Sequence, residues 1–397
     1  MRRVSPAGLM LLAIAAGIAF ALALPATALR LEWLGAAFVS VIRLLVGPIL
    51  FFAVVGSLAR IGSLRRAGAL TIKALLLFEL LSLLALLTGM AAALWLQPGA
   101  GVHLAAAAAG PGAPTLRATV TAALLHNSLL QVLAAAIVTG GAIALAGPRA
   151  APLLQLCERC AAGLFAVLRM LLLAAPLAAF GAIAFAVATY GAAAMLPLAK
   201  LLGCLYGASL WFILVALGAL AAASGVRLGA LIKRIKEELL LVVATASSTA
   251  AMPRLIDKLA DAGCPRPLAG LVIPLGFSFN LNGSAIYIGL CLLFLAQACD
   301  IDLNAAQLAP VLAVAIVTSK AASGVAGSAF VTLAATLAAV PGIPPAALVY
   351  IVGIERMLKC RPLTNVIGNA VACLALCAWS GRLDRAALRA AGLASRP

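Results

Sequence analysis

The sequence predicts an all-α polytopic membrane protein, and three observations carry that reading. Of its 397 residues, 65% are hydrophobic and only 10% charged, where a soluble domain carries roughly 25% charged residues. Mean hydropathy is +1.19. Apolar runs recur at spanning length, among them residues 9–24, 44–58, 74–96 and 129–146. A helix crossing a bilayer needs about 20 largely apolar residues, which leaves room for about eight such helices. The third observation is where the charge lies. The net +17, from 28 Lys+Arg against 11 Asp+Glu, falls between the runs rather than in one patch. Basic groups cluster at Arg2/Arg3, Arg60/Arg65/Arg66, Arg149/Arg159, Arg227/Lys233/Arg234/Lys236, Arg254/Lys258/Arg266 and Arg382/Arg385/Arg389. By the positive-inside rule this is a topology signal, not a nucleic-acid site. It predicts a multi-pass protein of the plasma (inner) membrane with both termini cytoplasmic. A spanning β-barrel is excluded, because its strands would alternate apolar and polar residues.

Taken in order, the first half reads as helices over about 6–25, 33–60, 68–97, 127–147, 160–189 and 195–224, each an apolar run of spanning length. Arg2 and Arg3, the apolar stretch after Pro6 and Ala26-Thr27-Ala28 resemble a cleavable signal. The stretch outlasts the roughly 7–15-residue core of such signals, so it reads as a first transmembrane helix. Residues 98–114, rich in Gly, Ala and Pro, read as a loop on the basic-poor side. The nine cysteines are scattered. Cys157 and Cys160 form the one C-x-x-C, with no second pair and no nearby His, so buried free thiols are expected rather than zinc or redox chemistry.

The second half is interrupted. A short apolar run after Leu239 is broken at Thr245–Pro253 by Ser247, Ser248 and Thr249, and basic residues flank it on both sides. Too short to span, it reads as a re-entrant hairpin entering and leaving on the cytoplasmic side. A second break runs from Ser319 to Ser328, between Pro310 and Pro341, and its small residues suit a hairpin entering from the opposite face. Each is followed by a long apolar span with polar residues at mid-depth: 268–299 with Asn280-Leu281-Asn282-Gly283-Ser284, and 346–379 with Arg361, Asn365 and Asn369. Hairpin–helix repeated in opposite orientation is an inverted repeat, which places a ligand site near the midplane between broken helices. Ser and Thr alone would mean little, since in membrane helices they often only join neighbours. Arg361, Asn365 and Asn369, however, lie at i, i+4 and i+8 on one face. An arginine at membrane depth is costly unless partnered, and is a functional candidate for that reason.

These residues resemble the dicarboxylate/amino acid:cation symporter family, the glutamate-transporter fold. The first-hairpin tip is matched by Ser247-Ser248-Thr249 through Pro253, and the seventh-helix motif by Asn280-Leu281-Asn282-Gly283-Ser284. The second-hairpin tip is matched by Ala322–Gly327, and the last helix by Gly353-Ile354-Glu355 and Arg361 through Asn369. The similarity is dense from about Ile235 to Trp379 and weak before the third helix. It implies eight transmembrane helices plus two hairpins, a homotrimer, and elevator-type movement of a transport core against a scaffold. On this division residues 1–66 are scaffold, 67–126 the third helix and its loop, 127–224 helices four to six, and 225–397 the transport core. It implies that Ser247, Ser248, Ser284, the backbone near Val325, Arg361 and Asn365 bind substrate. Gly276, Asn280, Asn365 and Asn369 would surround one sodium ion. Ser278, Leu281, Ser319, Lys320 and Ala322 would offer carbonyls to another.

Departures from the pattern shape the expected chemistry. The seventh-helix Asp is Asn282, and a third-helix sodium cluster of Tyr, Thr and Ser is read here as Phe78, Leu81 and Ser82. That cluster has lost its anion, its phenol and one hydroxyl. The family's acid for a substrate ammonium falls at Leu358 or Lys359, neither of which can serve. The stretch 355–361 is one residue short, and Pro362 removes an N–H from the helix. The reading is therefore a cation-coupled symporter of small carboxylates, favouring C4-dicarboxylates, with fewer sodium ions per cycle. Glu79, an acid inside the third span, is the candidate proton site, set against a plainer role as partner of a neighbouring helix or as a carboxylate facing an aqueous crevice. The coupling ion is Na+ and/or H+, with no other cofactor. An amino-acid symporter of the same fold and a non-transporting sensor remain the alternatives. A channel is disfavoured because the polar residues gather at one locus. An enzyme is disfavoured because no nucleophile–base pair appears, His103 and His126 falling in or beside loops.

Overall fold

The computed structural model describes residues 6–64, 69–102, 128–191, 195–245, 247–320, 327–337, 340, 343–344, 347–355 and 357–394. The first half forms α1 (Pro6–Ala23), α2 (Glu32–Leu64), α3 (Ala69–Leu96), α4 (Ser128–Ala146), α5 (Ala151–Leu171), α6 (Ala175–Tyr190) and α7 (Met195–Phe212). A π turn at Ile213–Leu217 carries α7 on into Gly218–Ala223. Further helices include α8 (Lys236–Thr245), α9 (Met252–Ala260), α10 (Arg266–Phe279), α11 (Asn282–Ala298), α12 (Ala305–Ser319), α13 (Ser328–Leu337), α14 (Leu348–Glu355) and α15 (Cys360–Trp379). There are no strands among the described residues beyond one isolated bridge between Val226 and Ala394.

Among the described residues, six helical stretches are long and apolar enough to cross a membrane: Pro25–Gly56, Leu70–Leu96, Ala134–Thr189, Met195–Ala223, Arg266–Ala298 and Cys360–Trp379. The chain is a multi-pass membrane protein. Ala134–Thr189, at 56 residues, is far longer than the roughly 20 needed for one crossing. The expected helix 160–189 begins earlier, at Ala151, and is interrupted by a tight turn at Leu172–Ala174.

Burial separates a centre from a periphery. The most apolar window of Arg266–Ala298 is 100% buried and that of Cys360–Trp379 is 83% buried, while the other spans are 39–50% buried. A helix that is apolar all round belongs inside, and α11 meets that description: every residue except Gln297 is buried. It packs against α3, α15 and α13. With α3 the approach is backbone to backbone, since a side chain at Gly89 would strike the Ile286 carbonyl and one at Gly289 the Leu86 carbonyl. Small residues permit such close approach between membrane helices. A second group, α1, α2, α4, α5 and α6, packs mainly among itself, and α13 and α14 join it to the centre.

Both long spans expected in the second half are broken. The 268–299 span stops at Phe279 and restarts at Asn282, because Asn280 and Leu281 leave helical geometry at ψ 60° and 66°. The expected 346–379 span is interrupted between Glu355 and Cys360. Pro362 then stands at the third position of α15, where its missing N–H costs nothing. The thiol expectation also needs correction. Cys157 and Cys160 are free, but Cys264 and Cys377 are joined with Cα atoms 6.0 Å apart, and Cys373 Sγ lies 3.7 Å from Cys264 Sγ.

Candidate functional site

The site is built where four interrupted elements converge. The break after α10 releases carbonyls, since the last turn of a helix has no intrahelical partners for them. The Asn280 N–H still reaches the Gly276 carbonyl at 2.7 Å, while the Phe279 carbonyl takes side-chain donors from elsewhere. On the far side of the break, the Gly283 N–H, in the first turn of α11, donates to Asn365 Oδ1 at 2.8 Å. Asn280 Nδ2 donates to Asn369 Oδ1 at 3.0 Å. Two asparagines one turn apart on α15 thus fasten both sides of the break.

Glycines make this crossing possible. A Cβ at Gly283 would collide with the Arg361 backbone, one at Gly276 with Asn369 Oδ1, and one at Gly368 with Asn282 Nδ2. Asn280, Asn282, Asn365 and Asn369 are all buried. Neither amide atom of Asn282 makes a hydrogen bond with any described residue, nor do Asn280 Oδ1 and Asn369 Nδ2. A buried amide left without a partner costs about 1–3 kcal/mol, so these groups call for a partner.

Arg361 enters at the second position of α15, on a side chain 10% exposed. Its Nη1 lies 2.9 Å from Glu355 Oε1, whose side chain is 5% exposed, and its guanidinium sits 5.3 Å from the Tyr287 ring centroid. The break between α14 and α15 brings acid and base together, and Tyr206 donates its hydroxyl to the Met357 carbonyl at 2.8 Å within that break. One edge of the guanidinium is engaged. Its five donors in a planar fork leave the rest for a carboxylate.

The other expected residues are placed as follows. Ser248 is buried at the hairpin tip, where Ser248–Ala251 forms a short turn packed on α15. Ser247 pairs its hydroxyl with Thr249 at 2.9 Å. The two arms of this hairpin are tied at their base by Lys258, which lies 3.0 Å from Glu237 and 2.8 Å from Glu238. Ser284 and Leu281 are buried and Ser278 half-buried at the α10/α11 break. Ser319 turns its hydroxyl back to the Ile316 carbonyl at 2.7 Å. The arms of the second hairpin are bridged by Thr318 and Thr336, 2.7 Å apart. Ala322 and Val325, with His103 and His126, lie outside the described residues.

Glu79 has a partner that the sequence reading missed. Its Oε1 lies 3.0 Å from Lys320 Nζ, so the plainer expectation for this acid, pairing with a neighbouring element, describes its position. Phe78 and Leu81 are buried and present no oxygen, and Ser82 donates to the Phe279 carbonyl at 3.2 Å.

Helix breaks facing one another, a buried arginine and a set of buried amides thus meet at one locus in the centre of the fold. The sodium:dicarboxylate symporter family matches the chain over residues 7–379. The chain belongs to that family, whose members are transporters and not enzymes. It is 41% identical over 395 residues to a C4-dicarboxylate transport protein of Cupriavidus necator, covering 95% of this chain and 91% of that one. It is 40% identical to C4-dicarboxylate transport proteins of Brucella anthropi and Rhizobium johnstonii, in each case covering 96% of this chain and 90% of the relative.

Proposed function

We propose that this chain is a cation-coupled symporter of C4-dicarboxylates. The observation that carries the proposal is Arg361, buried at the crossing of α11 and α15 with part of its guanidinium unspent, beside a site where no described residue offers a free acid for a substrate ammonium. Leu358 is buried and apolar, Lys359 is cationic, and Glu355 is engaged with Arg361 itself. A dicarboxylate then places one carboxylate on the arginine fork. The other lies toward the hairpin tips, near Ser247, Ser248 and the backbone around Val325. Orphan N–H groups at helix starts stabilise an anion there. Asn365 and Ser284 complete the contacts.

Sodium finds oxygen at the breaks. Asn369 Oδ1, held against Gly276, and the carbonyls of Gly276, Asn280 and Asn365 form one candidate set. The carbonyls of Ser278, Leu281, Ser319, Lys320 and Ala322 form the other. Discontinuous helices with freed carbonyls are the usual means of holding coupling ions in such folds. The wider architecture in this proposal comprises eight transmembrane helices with two opposed re-entrant hairpins. A transport core of residues 225–397, with the third helix, moves as an elevator against a homotrimeric scaffold of 1–66 and part of 127–224. Both termini lie in the cytoplasm of a cell with this protein in its inner membrane, as the basic-residue distribution supports.

The test is uptake of labelled succinate into proteoliposomes under an inward sodium gradient, beside a binding panel of dicarboxylates and amino acids with and without sodium. Sodium-dependent accumulation of succinate is expected. Binding without accumulation would favour a sensor, and preference for aspartate an amino-acid carrier.

A further inference from the structure

Lys320 ends α12, at the point where the second hairpin leaves its first arm. Its side chain is only 10% exposed. The ammonium has oxygen partners from three different groups: Glu79 Oε1 at 3.0 Å, the Phe279 carbonyl at 3.0 Å and Ser82 Oγ at 3.4 Å. Glu79 and Ser82 stand one turn apart on α3, and Phe279 is the last residue before the break that separates α10 from α11.

A salt bridge alone would not require this geometry. The side chain of Glu79 is 43% exposed, so a lysine seeking a counter-ion could meet it at the outer edge of α3. Lys320 instead reaches inward to a carbonyl freed by the helix break and to a hydroxyl that also touches that carbonyl. Carboxylate, carbonyl and hydroxyl oxygens around one positive charge form the donor set that a hard monovalent cation selects. The neighbours of Ser82 on α3, Phe78 and Leu81, are buried hydrocarbon, and the polar side chains at the α10/α11 break, Ser278, Asn280, Asn282 and Ser284, are neutral.

We propose that the Lys320 ammonium is a tethered cation, occupying permanently a position at the junction of α3, the α10/α11 break and the second hairpin that would otherwise take a mobile coupling ion. The inference rests on the transport reading above. Glu79 is then the counter-charge of the lysine rather than a proton carrier. One ion fewer travels with each substrate, and the first arm of the second hairpin is held to α3 whether or not sodium is present.

The experiment measures the sodium-to-succinate ratio from the gradient that nulls net flux in proteoliposomes. The parent should carry two sodium ions or fewer, and three or more overturns the proposal. Lys320→Met should lower succinate affinity about tenfold at the sodium concentration that serves the parent, as loss of a charge-assisted contact set predicts. Excess sodium should restore the affinity, with the ratio raised by one. Lys320→Arg should leave the ratio unchanged. A Lys320→Met protein with the parent's ratio and sodium dependence would show a mere structural fastening and sink the idea. If that variant does not fold, Lys320→Gln, which also leaves the Glu79 carboxylate in place, replaces it under the same criteria, and the parent's ratio decides independently of any variant. A parent that moves no dicarboxylate at all sinks the function proposed above and the tethered cation with it. An unaltered ratio in an active variant sinks the tethered cation alone.

Discussion

Arg361→Ala is the obvious test of a substrate-binding arginine, and the structure shows why it would mislead by itself. Glu355 lies 2.9 Å from the guanidinium on a side chain 5% exposed. Deleting the arginine strands that carboxylate, and breaking one half of a buried pair costs about 3–5 kcal/mol. The single variant should therefore lose folded protein and binding together. Glu355→Gln combined with Arg361→Ala removes both charges and leaves no stranded ion. It should recover most of that stability, by thermal unfolding in detergent.

The recovered protein isolates the role of the arginine toward substrate. Loss of a desolvated, charge-assisted contact to a carboxylate costs on the order of 2–5 kcal/mol. At 1.4 kcal/mol per decade, succinate affinity should fall by about 30-fold or more. Glu355→Gln alone should act in the opposite direction, because it removes the internal carboxylate that competes for the guanidinium. Calorimetric titration with succinate at saturating sodium measures both effects. A stable double variant that binds succinate as the parent does would refute the reasoning and leave Arg361 a structural partner of Glu355.

Two further outcomes follow from the geometry. Malate, succinate and fumarate should bind more tightly than aspartate in a competition assay, because the aspartate ammonium would be desolvated beside Leu358 and Lys359 with no acid to receive it; the reverse order would make Glu355 that acid. Gly276→Ala should drive a methyl into Asn369 Oδ1, whose Cγ would stand 2.9 Å away, at a packing cost of about 1–3 kcal/mol. Half-saturating sodium should rise while uptake at excess sodium is largely kept, and an unchanged sodium titration would remove Asn369 from the ion site.

Much of this site was legible in the sequence because its breaks are polar. Asn280 through Ser284 interrupts an otherwise apolar run, and the helix stops at Phe279 and resumes at Asn282. Thr245 through Pro253 likewise predicts the break between α8 and α9. The interruption before Cys360 gave a weaker signal. Met357, Leu358 and Cys360 are apolar, and the one-residue shortening and Pro362 were the only hints. That break decides the chemistry. Glu355 and Arg361 are six residues apart, about 240° around a continuous helix, and meet only because the helix does not continue. Contacts between distant elements were out of reach altogether: Lys320 was read for its carbonyl alone, and Cys264 and Cys377 are separated by 113 residues. A cue for Lys320 was present, since a lysine embedded between apolar runs at a hairpin tip must find a partner.

Charge ties these pairs to the coupling. Arg361 is balanced by Glu355 and Lys320 by Glu79, while Asn282 and Asn369 are neutral, so these six side chains together carry no net charge. A dicarboxylate brings two negative charges into a region where unbalanced ions are expensive. Two monovalent cations neutralise it, whether both are sodium or one is a proton, and a third would leave the loaded core charged again. Losing the carboxylate at Asn282 would strip a cation site of its anion, and Lys320 brings a cation with its own anion in Glu79. In Glu355→Gln the unloaded locus carries one positive charge, and a single cation then balances the loaded one. Its dicarboxylate affinity should therefore rise with a lower power of sodium concentration than the parent's, and an unchanged power would show that the Glu355–Arg361 pair lies outside the charge balance of transport.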